Sequence, residues 1–384
     1  MTLNRFVRKN AFRNKRRSIL TVLSIAFSLL LLSFLMSVWR AFYMDQGSAE
    51  SAQRLVTRHK VSLANFLPGY YRAKIRAIPG VEHVVPLAWF QGIYKDQKPE
   101  NFFARFGTDP DEFFDTFKEL SIPVDQLEAW KKDRAGAVAD VALAKKYGWK
   151  IGDRIVIQGD IYPIRLELTL RGLFTSTEPN NALYFNWKYV EEGVAFAKDK
   201  AGLFTILVDS PQDVNRVAVA VDQMFANAPE PTKTETEKSF QLSFISMLGN
   251  VKAFILVISL AAVFTILLVS GNTMAMSIRE RTREVAVLKT LGFRRQTILG
   301  LFIGEAVTIA LIGGIVGSVV AFPLLWGLSH APQMGGLFLV AVREWRYVAP
   351  VSWAVAGVAG FLSAAIPAYA ASRTGIVDGL RHIG

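Results

Sequence analysis

The sequence has no cysteine. Disulfides and thiolate metal sites are therefore excluded, and any large domain must be stable on its own apolar core. Histidine is scarce too. His59, His83, His330 and His382 are scattered without the spacing of metal ligands. No Gly-x-x-x-x-Gly-Lys-Ser/Thr run occurs, so the chain does not cradle nucleotide phosphates by the usual P-loop route. A Gly-x-Ser-x-Gly elbow is also absent. Asp160, at the end of "RIVIQGD", is explained by a tight turn rather than a catalytic role.

Charge is missing from four long runs. Arg17 and Arg40 enclose 22 uncharged residues, and Lys252 and Arg279 enclose 26. Arg346 and Arg373 enclose another 26, and a 37-residue run from Ala306 to Val342 is interrupted by Pro323, Pro332 and several glycines. About 20 apolar residues cross a bilayer as a helix, so all four qualify as spans. The first follows Arg13, Lys15, Arg16 and Arg17 but is too long for a signal-peptide core, and no small-residue cleavage site follows it; it reads as an uncleaved anchor.

The formal charge of +12 resolves the topology. Residues 1–17 hold seven Lys/Arg and no acid, 279–295 hold six bases and two acids, and 373–384 hold two bases and one acid. These three segments carry the whole excess, and the four spans put them on one side. By the positive-inside rule that side is the cytoplasm, which leaves nucleic-acid binding without support. The expected organisation is a cytosolic basic N-terminus (1–17), a first span (18–43), an extracytoplasmic domain (44–250) and a second span (251–278). A cytosolic segment (279–295), a third span (297–328), an extracytoplasmic loop (329–347), a fourth span (348–371) and a cytosolic C-terminus (372–384) follow. The large domain is expected on the extracytoplasmic side of the membrane.

Residues 44–250 read as mixed α+β. "GYYRAKIRAIPGVEHVVPLAWF" predicts a helix through Ile78, a Pro-Gly turn and a strand; "VADVALAKKYGWKIGDRIVIQG" predicts a short helix, a Gly-Asp turn and a strand. Ile164, Leu166, Leu168 and Leu170 alternate as on one strand face. "DVNRVAVAVDQMFANA" predicts an amphipathic helix with Asp213 as N-cap, and "APEPTKTETEKSF" a hinge-like loop. Two lobes are expected, the middle one, about 100–190, inserted into a terminal one.

The segment "SIRERTREVAVLKTLGFRRQTILGLFIGE", 277–305, sets a dense group of charges between two runs that have almost none. As a helix it brings Ile278, Val285, Leu288 and Leu291/Gly292 onto one stripe, with Arg279, Glu280 and Arg283 apart. Glu280 and Arg283 stand at i,i+3, a support of about 0.2–0.5 kcal/mol. Gly292 is placed to end the helix in a left-handed turn. Topology-setting charge alone needs neither order nor a stripe. Val285, Ala286, Val287 and Leu288 suit a docking helix better than a solvated loop.

"RERTREVAVLKTLGFRRQTILGLFIGEA" resembles the cytosolic segment of MacB-like and FtsX-like permeases of ABC transporters. Arg281, Glu284, Val285, Val287, Lys289, Leu291 and Gly292 match its pattern, while Ala286 replaces a frequent Gly and Thr290 a frequent Ala. "RNKRRSILTVLSIAFS" resembles the family's first span, and "IPAYAASRTGIVDGLRHIG" its tail, although the usual Pro near Gly375 is missing. The resemblance implies a non-enzymatic half-transporter subunit. Four helices pair with a second permease subunit, in a homo- or heterodimer, and two copies of a separate ATPase bind the ATP. Arg279, Arg281, Glu284, Val285, Leu288, Lys289, Leu291, Gly292 and Phe293 are then the ATPase-coupling residues. Motion passes along spans one and two to the extracytoplasmic domain, which exports or extracts a substrate; membrane lipid and a periplasmic adaptor complete the implied partners.

Two features need separate weighing. Glu305 is an acid beside a span. A proton site is one reading; an interfacial pairing with Arg294 or Arg295 is the other, and it is favoured by the cost of true burial. Gly313-x-x-x-Gly317 lets helices approach closely, either within the subunit or across a dimer. Three functions follow. The first is an ATP-powered export permease. The second is a same-family regulator that mechanically switches a partner such as a cell-wall hydrolase. The third, a proton-coupled carrier built on Glu305, is disfavoured by the small number of spans and the lack of repeats.

Overall fold

The computed structural model describes residues 13–44, 51–176, 181–247, 249–330 and 335–373. The chain divides into two compact units, Met1–Asp45 with Asn250–Gly384, and Gln46–Gly249.

Among the described residues, the first unit contains four helices long and apolar enough to cross a membrane: Lys15–Tyr43, Val251–Glu280, Arg295–Ser329 and Trp345–Arg373. At 1.5 Å per residue even the shortest exceeds a hydrocarbon core of about 30 Å. The third helix continues through Pro323, and the fourth contains Pro350 and Pro367. Small residues bring the helices together. A Cβ on Gly313 would lie 2.7 Å from Ile25 Cγ2, and one on Gly317 would lie 2.3 Å from the Ala26 carbonyl oxygen. Gly314 faces Ala356 and Gly360 faces Ala310 in the same way. The third helix is thus held between the first and the fourth, and Gly313 and Gly317 face the subunit's own first helix. Hydroxyls join the remaining contacts: Ser33 to Ser352 at 2.9 Å, Ser363 to Ser270 at 2.8 Å and Thr21 to Thr273 at 3.2 Å.

Residues 329–347, expected as a loop, carry a helix, Gly335–Arg343. Nine residues cannot span a bilayer. Instead Phe338 and Ala341 are buried beside Ala41 and Leu325. Arg40 pairs with Glu344 at 2.7 Å and lies over the Tyr347 ring at the same end.

The second unit is α+β. Its large sheet runs in the order Thr232–Thr236, Arg54–His59, Leu203–Val208, Val81–Trp89, Ala104–Thr108, Ala182–Asn186, Gly136–Asp140, Arg165–Ser176, Arg154–Gly159, Gly92–Ile93. Most neighbours are antiparallel, but Ala182–Asn186 pairs Ala104–Thr108 in parallel, and Gly136–Asp140 pairs Arg165–Ser176 likewise. The apolar residues sort into cores by sequence. One core draws on Leu55, Tyr71, Ile75, Phe204 and Val217; the fully buried members of the other two lie between Val85 and Ala197. The strands between Ala104 and Asn186 thus continue the same sheet as the terminal ones.

Leu166, Leu168 and Leu170 are fully buried on one face of the twelve-residue strand. A register shift opposite Ala137/Val138 leaves Arg171 as the extra residue, so Phe174 enters the core on the other face. Asp140 caps its helix by accepting from the Ala142 amide at 2.6 Å, and Gly148, at φ +71°, ends it. Asp213 makes no such cap; its carboxylate accepts from Arg216 instead.

The stretch expected as a hinge is largely ordered. Thr232–Thr236 is the sheet's edge strand, and Glu237–Met247 is a helix. Thr232 and Thr234 point inward while Lys233 points out, and Thr234 shares a hydrogen bond of 2.9 Å with Thr57. The alternation is present in the sequence, but threonine hides it from a reading based on hydrophobicity. Arg54 anchors this corner. It is buried, grips Glu119 through two bonds of 2.6 Å, and donates its Nε to Glu237 at 2.7 Å. Burial acts to lower its pKa, but the two carboxylates outweigh this and hold it above the usual arginine value.

Candidate functional site

The second long helix ends at Glu280, and a separate helix, Thr282–Thr290, follows. Arg281 breaks the regular spiral between them at φ −114°, ψ 14°. Glu280 therefore does not meet Arg283 as the i,i+3 spacing predicted. It pairs with Arg17 of the first long helix at 2.6 Å. Glu284, in the first turn of the short helix, pairs with Arg13 at 2.5 Å, a placement that also suits the positive end of the helix dipole. The far end is closed by Gly292 at φ +86°. The Phe293 amide donates to the Leu288 carbonyl at 3.1 Å and the Gly292 amide to that of Lys289 at 3.1 Å. This is the Schellman arrangement, and the left-handed backbone it requires explains the glycine.

Two buried contacts fix the short helix to its own subunit. Val285 and Ala286 are buried, and Val285 packs with Met274, Ile298, Phe302 and Ala368, with Leu288 and Ile278 half-buried beside them. Arg281 donates to Glu305 at 2.8 Å, and both side chains are more than nine-tenths buried. The partner is thus neither Arg294 nor Arg295. Glu305 stands ten residues along the third helix from Arg295, about 15 Å away, whereas the break after Glu280 folds Arg281 against it. The pairing gives Glu305 a structural partner and offsets the cost of burying either charge alone. Lys289 completes the attachment by donating to the Ser372 carbonyl at 2.8 Å. Burial, and then the nearby Arg295, hold its pKa below the usual lysine value.

The expected coupling residues therefore separate into two sets. Arg281 and Val285 are internal, Leu288 and Lys289 are half-buried against the same helices, and Glu284 is tied to the first helix. Arg279, Leu291, Gly292 and Phe293 are exposed. Val287 joins them: Val287 is 44% exposed, Leu291 69% and Phe293 42%. The predicted stripe ran from Ile278 through Val285 and Leu288 to Leu291, but its first three members face inward. The apolar surface left available is Val287, Leu291 and Phe293, at the tip of the segment. One sequence signal could have found it: Leu291 and Phe293 flank the glycine that turns the chain away. Of the tail that carried part of the resemblance, residues 366–373 end the fourth long helix and residues 374–384 lie outside the described residues.

Comparison with known proteins agrees with this architecture. Residues 18–224 match the MacB-like periplasmic core domain, and residues 253–376 match the FtsX-like permease C-terminal region. An uncharacterized ABC transporter permease of Methanocaldococcus jannaschii is 22% identical over 386 residues, covering 96% of this chain and 94% of that protein. A macrolide export ATP-binding/permease protein MacB of Burkholderia cenocepacia is 34% identical over 134 residues, which is 33% of this chain and only 18% of that protein. The periplasmic region of MacB from Actinobacillus actinomycetemcomitans shares 9% identity, covers 50% of this chain and 92% of that one, and superposes with a TM-score of 0.37. A multi-pass membrane chain with these two matched regions in this order belongs to the MacB-like, FtsX-like family of ABC transporter permeases.

Proposed function

We propose that the segment from Arg281 to Phe293 is the coupling element of this permease, and that its exposed tip docks on a separate ATPase subunit. The observation that carries the reading is the division of its apolar residues. Val285 and Ala286 are buried against the long helices, whereas Val287, Leu291 and Phe293 remain exposed on a segment braced by three polar ties, through Arg281, Glu284 and Lys289. An element that transmits force needs such a combination: rigid attachment to its own subunit and an apolar knob for a partner. ATP is bound and hydrolysed by that partner, present in two copies in a dimer of permease subunits. The first and second long helices carry the stroke to the α+β domain, which lies outside the cytoplasm by the charge distribution of the sequence. The work done there is export or extraction of a substrate, the reading favoured by likeness to a protein named for macrolide export.

The test is reconstitution with the ATPase subunit that co-purifies with this chain. Leu291→Asp with Phe293→Asp abolishes association and stimulated ATP turnover while membrane insertion and thermal stability stay at wild-type values. Full stimulation by that double variant removes the proposal.

A further inference from the structure

The N-terminal end of the first long helix gathers cations around an open cleft. Arg13, Lys15, Arg16, Arg17 and Arg281 line a space of about 510 Å³, and Glu280 is the one acid in its wall among the described residues. Three of these cations are already committed: Arg13 to Glu284, Arg17 to Glu280 and Arg281 to Glu305. Lys15 and Arg16 are exposed and form no ion pair among the described residues. In sequence, residues 1–12 carry Arg5, Arg8 and Lys9 and no acid. A concave site with surplus positive charge selects an anion.

An apolar stripe starts from the same place. Arg16, Leu20, Leu23 and Phe27 recur at i, i+4, i+7 and i+11, the spacing of one helix face. Leu20 is 65% exposed, Leu23 56% and Phe27 72%. From Arg16 to Phe27 the helix rises about 17 Å, close to one leaflet of a hydrocarbon core of about 30 Å. A free phosphate makes no use of the stripe. A molecule with an anionic head and hydrocarbon tails matches both parts.

We propose that the cleft and stripe form a binding site for an anionic phospholipid. Lys15 and Arg16 hold its phosphate, and an acyl chain lies along Leu20, Leu23 and Phe27. The site requires only that the long helices lie in a bilayer, so it stands apart from the coupling role of the segment 281–293.

The test places the full chain in phosphatidylcholine nanodiscs doped with phosphatidylglycerol and counts retained lipid by native mass spectrometry. Wild type is compared with Lys15→Gln/Arg16→Gln and with a charge-matched control, Lys131→Gln/Lys132→Gln, in the α+β domain. Wild type and control retain phosphatidylglycerol in preference to phosphatidylcholine, and the first double variant retains it about 30-fold more weakly, the loss expected for two bases at a membrane surface. Lys15 and Arg16 form no ion pair among the described residues, and Lys131 reaches Glu128 only at 3.9 Å on the surface, so both double variants stay folded and monodisperse. Equal retention by all three proteins overturns the proposal, as does equal retention of phosphatidylcholine. Displacement of the lipid by inorganic phosphate at matching concentration also overturns it, because it marks a soluble-anion site.

Discussion

The Arg281–Glu305 pair is the residue on which the rest of the cytosolic-end geometry turns. Removing one partner strips the other of this ion pair while it stays buried, at a cost of about 3–5 kcal/mol. Glu305→Leu should therefore lower thermal stability in detergent sharply, and Arg281→Met/Glu305→Leu should recover most of the loss. A proton-relay role predicts something else: Glu305→Gln would abolish a proton-driven flux with stability intact. Glycine gives a second test at this scale. A Cβ on Gly317 meets the backbone of Ala26 and Leu30, whereas Gly300 has nothing within 4 Å. Gly317→Ala should cost on the order of 1–3 kcal/mol, and Gly300→Ala should be neutral or stabilising. The Gly-x-x-x-Gly spacing was legible in the sequence. Which helix it faced was not, because small residues mark a close approach without naming the neighbour.

Among the elements, the short helix Thr282–Thr290 shows where pattern reading succeeds and where it stops. Its existence and its glycine stop follow from the sequence, since charge density, an apolar stripe and Gly292 all point the same way. The identity of the docking face does not. Periodicity shows that a stripe exists, but whether its cover is the chain's own helices or another protein depends on tertiary contacts. Leu288, chosen from the stripe, is half-buried against the subunit's own core. Leu288→Asp should therefore reduce stability and coupling together, while Leu291→Asp should reduce coupling alone; thermal melts beside ATP-turnover assays separate the two. The edge strand Thr232–Thr236 was missed for a related reason: its inward residues are hydroxyls that satisfy each other, as Thr57 and Thr234 do.

Across the whole molecule, the α+β unit has its own cores and a continuous sheet, so residues 46–249 should fold when expressed alone as a monomer. Its alkaline limit follows from Tyr162, which burial raises from 10.0 to about 12. The neutral phenol is favoured in the fold. Its contribution is thus complete below pH 10 and lost as the pH rises through about 12, and Tyr162→Phe should flatten the fall in stability across that window. The four spans and the α+β character were legible from run lengths and alternation. The helix Gly335–Arg343 was not, because an apolar stretch too short to span gives no sign of where it packs.

Cysteine-scanning crosslinking tests the coupling claim most directly, because the natural chain has no cysteine to confuse it. Single cysteines would be placed at Leu291, Phe293, Val285 and the membrane-facing Phe27, labelled with benzophenone maleimide and irradiated in the presence of the partner ATPase. Leu291→Cys and Phe293→Cys should crosslink to the ATPase with a yield that changes on adding ATP, and Val285→Cys and Phe27→Cys should not. No crosslink from either tip position, or equal yield from all four, would contradict the assignment of this segment as the ATPase-coupling element.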